Sequence, residues 1–159
     1  GIHWFTAENA SGSWGGWTDA DFEADYQVGE LHMAADGNWL YYHSGRPGGK
    51  GGLDIWESEK SGGNWQEPRN LGAVNSADDE GWPFLSQGGN ELWFTRFYQG
   101  SPAIFRSKRI NDTWSDPELI ISQFAGEPSL DDARDIYFVH HYYKDGKMIE
   151  ADIYVARKK

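Results

Sequence analysis

Three stretches of this chain repeat one another at an interval of about fifty residues, and a repeat of that length limits the available architectures more than any other feature. Leu53-Asp54-Ile55-Trp56-Glu57-Ser58 is echoed by Ala103-Ile104-Phe105-Arg106-Ser107 and by Ala151-Asp152-Ile153-Tyr154-Val155-Ala156, so that Ile55, Ile104 and Ile153 follow one another every 49 residues. A weaker copy, Ile2-His3-Trp4-Phe5-Thr6-Ala7, opens the sequence. The order within each unit is also shared. A loop and a Trp come next (Ser13-Trp14, Asn64-Trp65, Thr113-Trp114), then a segment near a Glu (Glu30, Glu80, Glu127), a turn, and an aromatic stretch such as Leu40-Tyr41-Tyr42 or Leu92-Trp93-Phe94. The units divide the single domain 1–159 at approximately 2–53, 54–103 and 104–151, with 152–159 as a closing strand.

Each conserved segment is short, rich in β-branched and aromatic residues, and bounded by Gly, Pro, Asn or Asp, which is the pattern of strands joined by tight turns. No helical periodicity runs long enough to compete. The chain therefore reads as all-β, with four short strands per unit, the composition of a β-propeller blade. With 38% hydrophobic and 16% aromatic residues, a core is available to it, and the composition argues against disorder. The formal charge of −11 disfavours nucleic acid and anionic lipid as partners. The absence of Cys excludes disulfides, thiolate zinc sites and a cysteine nucleophile. No apolar run is long enough for membrane insertion as a helix, and the opening Gly1-Ile2-His3 suggests a processed product or part of a longer chain.

The middle unit carries a specific run of residues: Arg46-Pro47-Gly48-Gly49 leading to Asp54-Ile55-Trp56, Trp65 to Pro68, Asn70-Leu71-Gly72, Val74-Asn75-Ser76, Asp79-Glu80 to Pro83, Ser86, and Leu92 to Phe94. This run resembles the WD-like propeller repeats of the TolB type, and the likeness extends over nearly the whole chain. It departs from that pattern at Trp14-Gly15-Gly16-Trp17, which lacks the Pro, ahead of Ile104, which lacks the Gly-rich lead, and at Asp132-Ala133. The resemblance implies a bacterial periplasmic or extracellular protein that binds a protein or glycan through one face or through the central channel.

Labelled from the axis outward, the strands give the last two of one blade, two complete blades at about 29–71 and 80–121, and the first three of another at about 126–157. Three units are too few for a ring. The expectation is either part of a longer propeller or a six-bladed ring made by homodimerisation, in which one copy completes the other's last blade. The alternating acids of Asp19-Ala20-Asp21-Phe22-Glu23-Ala24-Asp25 fit a charge-protected edge strand better than a calcium loop.

Inner strands line a propeller's channel, which makes Glu30, His32, Glu80, Trp82 and Glu127 the candidate ligand-binding residues: carboxylates with an aromatic platform, suited to a sugar or an amine. The competing reading is that the recurrent Glu belongs to the fold's own hydrogen bonding. Arg46, Arg96 and His140 are expected near one rim, where a carboxylate or phosphate would bridge them. Asp79-Glu80-Gly81-Trp82-Pro83 also resembles the acid segment of arabinanase-type inverting glycosidases, which implies an alternative in which Glu80 works with Glu30 or Glu127 across roughly 6.5–9.5 Å. The five His form no metal-binding spacing, no cofactor motif is present, and Gly45 to Gly52 reads as a hairpin in place of a phosphate loop. Trp14 and Trp17, near loops, offer further surfaces for stacking on sugars.

Overall fold

The computed structural model describes residues 4–20 and 26–158, and every regular element among them except one short turn is a strand. The chain starts with a hairpin, β1 (Phe5–Ala10) and β2 (Ser13–Asp19). Blade 1 follows, with β3 (Val28–Met33), β4 (Trp39–Ser44), β5 (Asp54–Ser61), β6 (Asn64–Trp65) and β7 (Arg69–Asn70). After a 3-10 turn at Gly72–Val74, blade 2 repeats the order with β8 (Glu80–Leu85), β9 (Glu91–Tyr98), β10 (Ser101–Ile110), β11 (Thr113–Trp114) and β12 (Glu118–Ile121). Blade 3 comprises β13 (Ala125–Leu130), β14 (Ile136–Lys144) and β15 (Lys147–Ala156). All pairings are antiparallel between sequence neighbours, except that β5 and β10 each hold two outer pieces. The all-β blade series expected from the repeat is the observed architecture.

Alternation along the second strand of each blade stacks the sheets. Leu40 and Tyr42 bury with Val28, Trp56 and the incoming Trp4, whereas Tyr41 points the other way, into a core shared with Leu92, Phe94, Phe105 and Trp114 of blade 2. One blade further along, Trp93 and Ile104 face Ala125 and Phe138 of blade 3. The far face of blade 3 meets no further sheet among the described residues, and it leaves Ile153 79% exposed beside exposed Tyr137 and Val155. Such a face, next to the unpaired outer edge of β15, is the aggregation hazard expected of an open end.

Proline decides whether the outer strand is continuous. Pro68 and Pro117 cannot donate to the ladder, and in both blades the strand is split there, into β6 and β7 and into β11 and β12. The first hairpin lacks that Pro, and β2 runs unbroken from Ser13 to Asp19. Register also corrects the opening repeat. Asn9 pairs with Trp14 as Lys60 pairs with Trp65 and Arg109 with Trp114, so Trp4 stands where Ile55 and Ile104 stand, and Ile2 lies outside the described residues.

These hairpin tryptophans have a defined seat. Trp114 packs edge-on to Tyr41 of blade 1 at 6.4 Å, under the Arg109 guanidinium at 5.9 Å, and Trp65 lies under Lys60 at 5.6 Å. The Ser107 and Ser58 hydroxyls donate to the carbonyls of Ser115 and Gln66, the residues after each Trp, at 2.6 Å. In blade 3 the matching positions are Lys158 and Ala156, and they border an open cleft of about 430 Å³ beside Trp93, Arg106 and Ile136. Truncation of Trp114 to Ala removes the wedge between blades 1 and 2, with an expected loss of about 3–5 kcal/mol, measured as a lowered urea midpoint.

Candidate functional site

The three inner strands share a local distortion. Pairing slips between Gly29 and His32, between Gly81 and Phe84, and between Gly126 and Ser129, which marks a bulge at the same point of each blade. The residue after each Gly adopts the left-handed region: Glu30 at φ 49°, Trp82 at φ 51° and Glu127 at φ 56°. Left-handed backbone is uncommon for residues other than Gly and concentrates at functional sites. Its recurrence in three consecutive blades makes it a property of the repeat, and the side chains it carries are free to differ.

Those three side chains line one cleft of about 180 Å³ where the inner strands converge, together with His32, Phe84 and Pro128. Glu30 and Glu127 are exposed and Trp82 is half-buried, so two carboxylates flank an indole on an accessible surface. His32 packs on Phe84 at 4.9 Å, and burial holds its imidazole below the usual range despite a hydrogen bond to the Leu85 backbone. Behind the cleft, His43 is wedged against Trp82 at 5.4 Å, and burial lowers its pKa too. Glu127 is fixed by its backbone N–H, which donates to Thr95 Oγ1 at 2.9 Å, and its carboxylate lies 3.6 Å from His141 Nε2.

Glu80 is not part of this cleft. It sits two residues before Trp82, level with Val28 and Ala125, and is only 1% exposed. Its carboxylate accepts hydrogen bonds from Ser76 N–H at 3.0 Å, Ser76 Oγ at 2.5 Å and Arg96 Nε at 2.6 Å. Arg96 continues to the Val74 carbonyl at 2.9 Å and lies over the Phe105 ring at 4.7 Å. The neighbouring motif has the same character. The Asn75 side chain both donates to the Ile55 carbonyl and accepts from the Ile55 N–H at 2.8 Å, and Asp79 accepts from Leu53 N–H at 2.9 Å. Val74-Asn75-Ser76 and Asp79-Glu80 therefore form a staple between blades 1 and 2, and Glu80 belongs to the fold's own hydrogen bonding. Burial raises its pKa, against the pull of Ser76 and Arg96.

The expected rim of Arg46, Arg96 and His140 is not assembled as an anion site either. Arg46 binds Glu67 at 2.6 Å and lies over Trp56 at 4.9 Å; His140 stacks near Tyr154 at 5.0 Å and Phe124 at 6.2 Å. Gly45 to Gly52 is a hairpin, with Asp54 Oδ2 accepting from Lys50 N–H at 2.8 Å and Gly51 N–H at 3.2 Å. Trp14 and Trp17 are 66% and 67% exposed on the first hairpin, away from the channel cleft. The acids at 21, 23 and 25 lie outside the described residues. Among the described residues no group of three or more His, Asp and Glu is placed to hold a metal ion. The sequence reading missed His141, Phe97 and Tyr143, which with Trp82 and Glu127 line a second, smaller pocket beside the cleft. Their signal is the non-repeating residues at the end of the second strand of each blade.

No family model matches the chain, and no curated protein matches it. Among solved structures it is similar to TolB from Acinetobacter baumannii, with a TM-score of 0.57 at 17% identity over 81% of this chain and 29% of TolB. It is similar also to an endo-arabinase from Bacteroides thetaiotaomicron, with a TM-score of 0.61 at 13% identity over 98% of this chain and 70% of the enzyme. At these identities the likeness shows the fold, that of a β-propeller, of which this chain holds a series of blades. It spans less than a third of the length of TolB.

The Glu80 and Arg96 pair yields a pH-dependent test. Arg96→Met leaves a buried carboxylate without its cation and is expected to cost about 3–5 kcal/mol at neutral pH. The Glu80 pKa, already raised, rises further in this variant, so the deficit narrows as acid protonates the orphaned carboxyl. Urea melts of both proteins at neutral and mildly acidic pH measure the difference.

Proposed function

We propose that this chain is a non-catalytic binding module of the propeller type that holds a glycan or protein segment at the channel cleft, with Glu30, Trp82 and Glu127 as its contacts. The observation that supports this most directly is the repeated bulge, which presents these three side chains from three successive blades into one cleft. An indole flanked by carboxylates suits a polyhydroxylated ring, whose apolar face stacks while its hydroxyls donate to the acids. The net charge of −11 favours a neutral or cationic ligand. The TolB-type resemblance supports a location in the periplasm or outside the cell, and the exposed edge of β15 supports association with further blades, from a second copy or from a longer chain.

Hydrolysis is the second reading, favoured by two exposed carboxylates in one cleft and by the fold of the endo-arabinase. The segment that suggested a catalytic acid does not support it, because Glu80 is buried in the inter-blade staple.

Calorimetric titration with a panel of oligosaccharides, arabino-oligosaccharides included, tests both readings. Glu30→Gln and Trp82→Leu are each expected to weaken binding by about tenfold, the equivalent of about 1.4 kcal/mol. Glu80→Gln is expected to lower thermal stability while affinity changes by less than about twofold. Absence of saturable binding across the panel and to peptides would remove the binding reading. Release of reducing sugar that disappears in Glu127→Gln would replace it with the hydrolytic one.

A further inference from the structure

The small pocket beside the channel cleft has a composition of its own. It lies between blades 2 and 3 and encloses about 120 Å³, room for about four waters. Three aromatic rings border it: Trp82 from β8, Phe97 from β9 and Tyr143 from β14. Phe97 and Tyr143 are exposed and lie outside the core clusters, with Tyr143 propped against the Phe124 ring at 6.0 Å. Among the described residues, Glu127 supplies the one carboxylate on its border, and no Lys or Arg lines it. His141 also lines the pocket, with its Nε2 3.6 Å from the Glu127 carboxylate.

Aromatic faces carry negative potential and attract a cation placed over them, indole most strongly, and a carboxylate at the same mouth adds a full charge. Neither feature rewards a neutral or anionic group. Trp82 and Glu127 border this pocket and the channel cleft alike, which makes the two cavities adjoining subsites of one surface.

We infer that the ligand carries an alkylammonium group and seats it among Trp82, Phe97 and Tyr143 against the Glu127 carboxylate. This inference rests on the channel reading above and names the chemistry of one end of its ligand, the amine of an amino sugar. The pocket is wide enough for an ammonium head with its nearest carbons and too small for a second sugar ring.

The probe is choline, set against dimethylbutanol, its uncharged carbon isostere, in NMR titrations of the isotope-labelled chain. Choline is expected to shift the Gly126 and Glu127 amides and the Trp82 indole N–H saturably, and dimethylbutanol to bind at least about tenfold more weakly. Glu127→Gln and Tyr143→Leu are each expected to weaken choline by about fivefold or more, with Phe97→Leu in reserve should Tyr143→Leu fail to fold. Glu59→Gln, on the exposed outer part of blade 1, controls for general electrostatic attraction and leaves the affinity unchanged. Equal binding of choline and its isostere, no saturable shift at those three groups, or full choline affinity in Glu127→Gln overturns the inference. The oligosaccharide titration of Glu30→Gln judges the channel reading separately, so failure of one is distinguishable from failure of the other.

Discussion

A methyl group added to Gly29 or Gly81 would collide with the His43 ring, and one added to Gly126 would crowd Thr95. A Cβ on Gly29 would stand 2.3 Å from His43 Nε2, one on Gly81 would stand 2.8 Å from His43 Nδ1, and one on Gly126 would press on Thr95 Oγ1 at 3.3 Å. His43 thus fills the space between the inner strand of its own blade and that of the next, and Thr95 does the same one blade further on. This close approach brings the inner strands together, and the bulge that follows each glycine then turns Glu30, Trp82 and Glu127 outward onto a common surface. Packing and presentation are consecutive residues of one short motif.

That motif was only half legible beforehand. Strand positions, hairpins and the Trp of each outer strand followed from turn chemistry and aromatic content, and the structure has them. Sequence alone slips two registers by two residues, aligning Glu80 with Glu30 and Glu127, and Ile2 with Ile55. A slip of two keeps every side chain on its own face of the sheet, so hydrophobic alternation is blind to it. What distinguishes the registers is the glycine that must admit a neighbouring side chain. Aligned on Gly29, Gly81 and Gly126, the units place Trp82 beside the two exposed acids and send Glu80 into the interior.

Charge was legible in total and illegible in detail. Composition gives −11 for the chain, yet says nothing of which acids meet which bases, and the decisive pairs here join distant positions. Arg96 reaches Glu80 across neighbouring strands and Val74 in the connection between blades, while Arg134 reaches from blade 3 to Glu91 of blade 2. Residues that look free in a sequence, such as Arg46 and Arg96, are therefore engaged in packing. Those left facing solvent, Glu30 and Glu127, look unremarkable because they seem to recur with Glu80.

The tryptophan that opens each outer strand gives the blade series a direction. Trp114 belongs to blade 2 but lies against Tyr41 of blade 1, and Trp65 of blade 1 lies in the cluster that takes in Trp4 from the hairpin before it. Blades 1 and 2 thus each grip what precedes them with their outer strand and offer the next blade only a sheet face. The two faces of such a blade are chemically unlike, one receiving a key and the other carrying it, so successive blades stack in one sense only.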